Sequence, residues 1–388
     1  MDNRKYTGEE LERRRAYRER KRKALKRKKR RLIIEALLEM LVPVVAIAAI
    51  VVLVICLIKL VKGNRQEAVT DTTSSDAIIY DLSQISGTID TTEQTVSEDE
   101  VQFVATGYGS STPEAYGLFE GYIVDASDAS YIYDENMTSD YAVIIDASTG
   151  KVIAAKNAND IINPASMTKI MTVLVAAEHI TDLDDVVEIT ADATNYAYSN
   201  DLSAVCFAIG EKVTVRDLLY GTILPSGGDA AYALADYVAG SQDAFVEMMN
   251  KKLADLGLSD TAHFTNVAGL YNENHYCTVT DMAIILKAAM ENELCRDVMS
   301  AHTYVTTATP EHPDGIQVSN WFLRRIEDKD CHGTVLCAKT GFVNESRNCA
   351  ASYQLSNDGN QYIVCTAGTW SSLRCIYDHV QIYEDYTK

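Results

Sequence analysis

The sequence predicts an α+β domain at the C-terminal end of a chain that opens with a basic arm, an apolar run and a polar linker. Three observations carry this reading. Strand-like segments lie at both ends of the region from Asp128 onward, helically spaced apolar residues fill its middle, and the charge changes sign along the chain.

The formal net charge of −20 averages two opposite ends. Residues Met1–Arg31 hold 16 of the 35 Lys and Arg and 5 of the 55 Asp and Glu, a balance of +11. The remaining 19 basic and 50 acidic residues give −31, so a uniformly acidic soluble protein is excluded. A hydrophobic fraction of 47% excludes disorder throughout, and 6 Pro with 20 Gly exclude a collagen-like or low-complexity chain.

Residues 1–31 form the basic arm and residues 32–62 the expected anchor. Met40–Ile58 is a run of 19 uncharged residues between Glu39 and Lys59. As a helix it would rise ~28 Å, close to the ~30 Å hydrocarbon core of a bilayer. Pro43 sits near its start, where a helix tolerates proline. A buried helix of a soluble protein is rarely apolar on every side, so one transmembrane helix is expected. The basic arm then stays cytoplasmic and the acidic body is extracytoplasmic, in a single-pass protein of the cell membrane. A cleaved signal peptide would have a hydrophobic region of ~7–15 residues and a small-residue cleavage site. Gly63-Asn64-Arg65-Gln66 offers no such site. The arm has the composition of a nucleic-acid patch, yet a topology signal drawn to anionic head groups accounts for it; membrane lipid is the expected partner and nucleic acid is not.

Residues 63–127 are rich in Thr, Ser, Asp and Glu and read as an extracytoplasmic stalk. Residues 128–388 read as the catalytic domain. Strands are expected at Tyr141–Ile145, Lys151–Ala155, Thr334–Ala338, Asn348–Leu355 and Gln361–Ala367. Helices are expected at Pro164–Ile180, Val215–Leu224, Asp229–Val238, Gln242–Leu256 and Asp281–Met290.

Three short motifs carry chemistry. In Ser166-Met167-Thr168-Lys169, a serine and a lysine three apart share a helix face. A partly desolvated lysine beside a serine can act as its base, and the free N–H groups of a first helical turn favour a developing oxyanion. Alone, this spacing is common by chance. Pro225-Ser226-Gly227-Gly228-Asp229 places a second serine in a tight turn before a helix, where it would otherwise be an ordinary helix cap. Lys339-Thr340-Gly341 closes an expected strand. The three in this order, on helix, loop and strand, are specific.

With these motifs the chain resembles the serine D-alanyl-D-alanine carboxypeptidases, the low-molecular-mass penicillin-binding proteins of peptidase family S11. The resemblance runs from Tyr141 to Tyr377 and includes Asn163-Pro164-Ala165, Gly210 to Gly221, Phe264 to Leu270 and His275 to Ala283. It implies the serine DD-peptidase and β-lactamase fold, an antiparallel sheet flanked by helices. It implies removal of the terminal D-alanine from peptidoglycan stem peptides, and acylation by β-lactam antibiotics. Ser166 would be the nucleophile, Lys169 its base, and Ser226 a proton relay to the leaving amine. Lys339, Thr340 and Gly341 would line the subsite for the substrate carboxylate. The oxyanion would be held by the backbone N–H groups of Ser166 and Phe342, and Arg374 would lie near the carboxylate. One position departs from the family: the second motif ends in Gly228 where Asn is usual, and another side chain or a water is expected to fill its place.

Two other functions share the fold. A β-lactamase needs a further carboxylate, and Glu291-Asn292-Glu293-Leu294 fits that pattern poorly. A catalytically impaired penicillin-binding receptor or scaffold would keep the fold without turnover. Of nine Cys, Cys56 lies in the apolar run. If Asp358-Gly359 is a two-residue turn, Cys349 and Cys365 fall on opposite sheet faces and cannot pair, whereas Cys331 and Cys337 can; free buried thiols packed as small hydrophobes are the equal alternative. No His/Cys spacing suggests zinc, and no cofactor is implied.

Overall fold

Short apolar runs such as Ala142–Ile145 and Tyr362–Cys365, buried on both faces, build a six-stranded sheet in the computed structural model, which describes Leu118, residues 120–132 and residues 136–388. The expected membrane anchor, the arm and most of the stalk lie outside the described residues. Among the described residues, no helix is long and apolar enough to cross a membrane.

The strands are β1 (Ser130–Tyr131), β2 (Tyr141–Asp146), β3 (Val152–Lys156), β4 (Val186–Glu188), β5 (Lys212–Thr214), β6 (Thr303–Val305), β7 (Gln317–Ser319), β8 (Gly333–Val343), β9 (Arg347–Ser356) and β10 (Gln361–Thr369). The sheet order is β1-β3-β2-β10-β9-β8, with β4-β5 and β6-β7 as separate pairs. Strands from the two ends of the domain thus meet at β2 and β10, where Val143 lies opposite Cys365. The expectation of a purely antiparallel sheet is corrected at one edge. β1 runs parallel to β3, with Ser130 opposite Ala154, so the sheet is mixed. A two-residue exposed strand is too short for alternation to reveal it.

The helices are α1 (Thr168–His179), α2 (Ala191–Ser199), α3 (Val215–Ile223), α4 (Gly228–Ala239), α5 (Gln242–Asp255), α6 (Val279–Glu291), α7 (Glu293–Ser300), α8 (Leu323–Ile326) and α9 (Ser372–Tyr386). Thr214 and Thr278 start α3 and α6 through reciprocal capping with Asp217 and Asp281, which satisfies two otherwise orphan N–H groups at each start. One sheet face packs with α1 and α6 around Val143, Ile145, Ile170 and Ile285. The other is covered by α8 and α9 through Leu323, Ile376 and Tyr383.

Two expectations about the ends of the domain change. Leu118 and residues 120–127, expected in the stalk, include residues packed on the domain: buried Lys287 on α6 donates to the Gly121 carbonyl at 2.7 Å and lies over the Tyr122 ring, and Leu118 and Val124 pack on the core. The expected register at the last hairpin also shifts. Gln361 pairs with Leu355 and Cys365 with Ala351, because the turn is longer than two residues. Cys349 and Cys365 therefore lie on one sheet face, in the same core cluster, as separate thiols. Cys331 and Cys337 fall on opposite faces, so the pair that spacing allowed does not form.

Helix α9 is fastened by a buried carboxylate. Asp378 accepts from the Thr138 N–H at 3.1 Å, the Thr138 hydroxyl at 3.1 Å and the Ser139 hydroxyl at 2.5 Å. Asp378→Ala strands these donors and is expected to lower the unfolding free energy by about 3 kcal/mol, read from urea denaturation. A loss below about 1 kcal/mol would show that water replaces the carboxylate.

Candidate active site

Ser166 sits in a single 3₁₀ turn, Ala165–Met167, which runs directly into α1. Asn163 shapes the approach: its Oδ1 accepts from the Ala165 N–H at 3.0 Å, and its Nδ2 donates to the His275 carbonyl at 2.8 Å. Ala165 takes a left-handed conformation, φ 48°, which turns the chain sharply before the serine.

Lys169 lies on the first turn of α1 with no exposed surface. Its Nζ is 3.0 Å from Ser166 Oγ and donates to the Ala268 carbonyl at 2.9 Å. Burial, then the nearby charge of Lys339, hold Lys169 well below its ordinary 10.5, with Asp229 acting in the opposite sense. A neutral amine facing a serine hydroxyl is the arrangement a base requires.

Ser226 precedes α4 in a left-handed conformation, φ 62°, so its side chain leaves the turn in an uncommon direction. It accepts a 2.8 Å hydrogen bond from Lys339 Nζ, which also donates to the Thr340 carbonyl at 2.8 Å. Burial brings Lys339 down to about 7. The strand expected to stop at Ala338 runs on to Val343 and carries the whole third motif. β8 is the outer strand of the sheet and packs against the Ala165–Met167 turn. Gly341 is what allows this contact, since a Cβ there would lie 2.8 Å from the Ser166 nitrogen. Phe342 follows as an exposed residue, 59% of its surface open to solvent.

The structure therefore brings together Ser166, Lys169, Ser226, Lys339, Thr340 and Gly341. Arg374, the residue expected near the carboxylate, lies in the first turn of α9. Its guanidinium donates to the Asn136 carbonyl and lies 3.9 Å from Asp378, one turn along α9. These intrahelical and loop partners claim it, and none of them belongs to the three motifs.

Gly228 is also resolved. A Cβ on it would meet Leu202 Cδ1 at 2.6 Å, so an apolar side chain from the preceding loop fills the space. Leu202 cannot supply an amide's hydrogen bonds, so the expectation of a replacement polar group is not met by a side chain. Sequence reasoning passed over Asp229, whose buried carboxylate accepts from the Val205 and Cys206 N–H groups at 2.9 Å each. A signal was present: Asp in the first turn of a helix directly after the serine turn is well placed to take N–H groups.

The comparisons with known proteins agree with this geometry. A family model described as D-alanyl-D-alanine carboxypeptidase, Peptidase S11, matches residues 127–365. The chain belongs to that family. A D-alanyl-D-alanine carboxypeptidase DacF of Bacillus subtilis is 34% identical over 212 residues, 54% of this chain and 52% of the relative. The S11 relative from Streptomyces sp. strain K15, also named D-alanyl-D-alanine carboxypeptidase, is 36% identical over 208 residues, 52% of this chain and 71% of its own. The crystal structure of the Streptomyces K15 DD-transpeptidase superposes with a TM-score of 0.59 at 28% identity, covering 65% of this chain and 98% of that one. The chain thus spans about half the length of the Bacillus member and nearly all of the superposed structure.

The shifted Lys339 has a measurable consequence. Its folded value lies below the ordinary 10.5, so between about pH 7 and 10.5 the unfolded chain binds more protons and this residue's contribution to stability rises with pH. Below about pH 7 the cost of burying the charge is fully present. Lys339→Met is therefore expected to raise the denaturation midpoint more at pH 6 than at pH 9. An equal change at both would show that Lys339 is not titrating in this range.

Proposed function

We propose that this chain is a serine D-alanyl-D-alanine carboxypeptidase that removes the terminal D-alanine of peptidoglycan pentapeptides and is acylated by β-lactams at the same serine. The observation that carries the reading is the fully buried Lys169 Nζ at 3.0 Å from Ser166 Oγ, beside the Lys339–Ser226 pair.

The geometry supports the following chemistry. Neutral Lys169 takes the Ser166 proton as Oγ attacks the penultimate D-alanine carbonyl. The backbone N–H groups of Ser166 and Phe342 stabilise the oxyanion, and the Gly341 contact with Ser166 sets their separation. Ser226, held by the hydrogen bond from Lys339, relays the proton taken by Lys169 to the leaving amine, which returns Lys169 to its neutral form. The substrate carboxylate meets Thr340 and Lys339, and its charge favours the ammonium form of Lys339. Water then releases the acyl group. The carboxylate considered for a β-lactamase, Glu291, is occupied by the Tyr122 hydroxyl and Lys287 on the far end of α6, which favours the peptidase.

Intact-mass measurement after penicillin treatment is expected to show one adduct on Ser166, and a muramyl pentapeptide is expected to lose one D-alanine. Both signals should vanish in Ser166→Ala. An adduct without D-alanine release would point to the impaired receptor, and rapid penicillin turnover to a β-lactamase.

The same proposal places the domain outside the cell membrane, carried by Met40–Ile58 with the +11 arm in the cytoplasm. Full-length chain is expected to stay in membranes through carbonate washing, and deletion of residues 1–62 to release it. Release of the full-length chain by carbonate would reject the span.

A further inference from the structure

Lys169 is held from one side by a carbonyl that belongs to none of the three motifs. We propose that Asn266 is the positioning residue that aims this carbonyl and so sets the reach of Lys169 to Ser166; the proposal rests on the acyl-enzyme reading above.

One side-chain amide organises the whole loop. Asn266 Oδ1 accepts from the N–H groups of Ala268, Gly269 and Leu270 at 3.2, 2.8 and 2.9 Å. Its Nδ2 donates to the Leu270 carbonyl at 2.9 Å. With all three N–H groups drawn inward, the Ala268 carbonyl is left pointing out of the turn, 2.9 Å from Lys169 Nζ and 3.5 Å from Ser166 Oγ. The neighbouring Val267 carbonyl accepts from the Thr172 hydroxyl at 2.7 Å, which ties the loop to α1 just beyond the lysine.

The loop has little room to choose another position. Gly269 has φ 81°, and a Cβ on it would lie 1.7 Å from the Ala165 carbonyl oxygen. The loop therefore rests on the residue directly before the nucleophile. His275 closes the assembly from behind. Its Nδ1 accepts from the Thr265 N–H at 3.0 Å, so its proton is on Nε2 and is donated to the Thr168 hydroxyl at 2.8 Å. Burial keeps this ring neutral, at about 3, which suits the single-proton arrangement. The nucleophile turn, the base and the loop are one hydrogen-bonded body with Asn266 at its centre.

Losing the Asn266 amide frees three N–H groups and lets the carbonyl drift. A displacement near 1 Å at a reacting pair costs on the order of 100-fold in rate. Asn266→Ala is therefore expected to slow penicillin acylation per active site by about 10- to 100-fold and to leave the initial non-covalent Kd within about twofold. Water reaching Lys169, which faces Lys339 and Asp229, should move the acid limb of the acylation profile to higher pH. Asn266→Asp keeps an oxygen acceptor for the same N–H groups and is expected to recover most of the rate. Active-site titration separates this from misfolding, which lowers the number of reacting sites and not their rate. An unchanged rate per site in Asn266→Ala, or an equal loss in Asn266→Asp, overturns the proposal while wild type still acylates. A wild type that fails to acylate overturns this proposal together with the reading it rests on.

Discussion

The arrangement depends on keeping one lysine dry. Lys169 has no exposed surface, and a charge in such a place costs several kcal/mol unless it is paired or neutralised. Here a single carbonyl and a serine hydroxyl are its partners, and a second lysine stands nearby. That is too little to favour an ammonium, and the group is pushed towards the amine. The buried face of α1, the sheet behind it and the loop at Ala268 together exclude the water that would undo this. Reactivity at Ser166 is thus a property of the packing as much as of the two side chains.

Close approach is the second constraint, and small residues provide it. Gly341 brings β8 against the Ser166 nitrogen, and Gly269 brings the opposite loop against Ala165. The Ala165–Met167 turn is clamped between two backbones. Side chains at either glycine would spread the clamp and shift the Ser166 N–H. The second motif follows a different logic. Ser226 is held in a left-handed conformation, and the space beside Gly228 is taken by Leu202 from the preceding loop. The polar contact usual in this family has been exchanged for an apolar one without opening a hole.

Much of this was legible in the sequence. The ten expected strands and helices all fall within two residues of observed elements except at the end of β8 and at the start of α1, where the 3₁₀ turn Ala165–Met167 comes first. Six of the eight named site residues, Ser166, Lys169, Ser226, Lys339, Thr340 and Gly341, come together because motif spacing encodes them. What was hidden has physical reasons. β1 is two residues long, and β8 runs through a polar lysine and threonine that look like a strand end. Arg374 could be aligned but not aimed, since its direction depends on Asn136 and Asp378 at other points of the chain. Asn266 and His275 act through backbone groups, which sequence patterns do not display.

The attachment of the segment around Gly121 and Tyr122 gives the domain a mechanical character. The polypeptide arriving from the N-terminal side is gripped by the Lys287 ammonium at Gly121, under the Tyr122 ring, on α6. Helix α6 packs directly against α1, which bears Lys169. A pull on the incoming chain is therefore resisted first by a polar rivet on a helix one layer from the reacting atoms. The same contact neutralises the cost of burying the Lys287 side chain, so the segment before β1 and the helix beneath it hold each other in place.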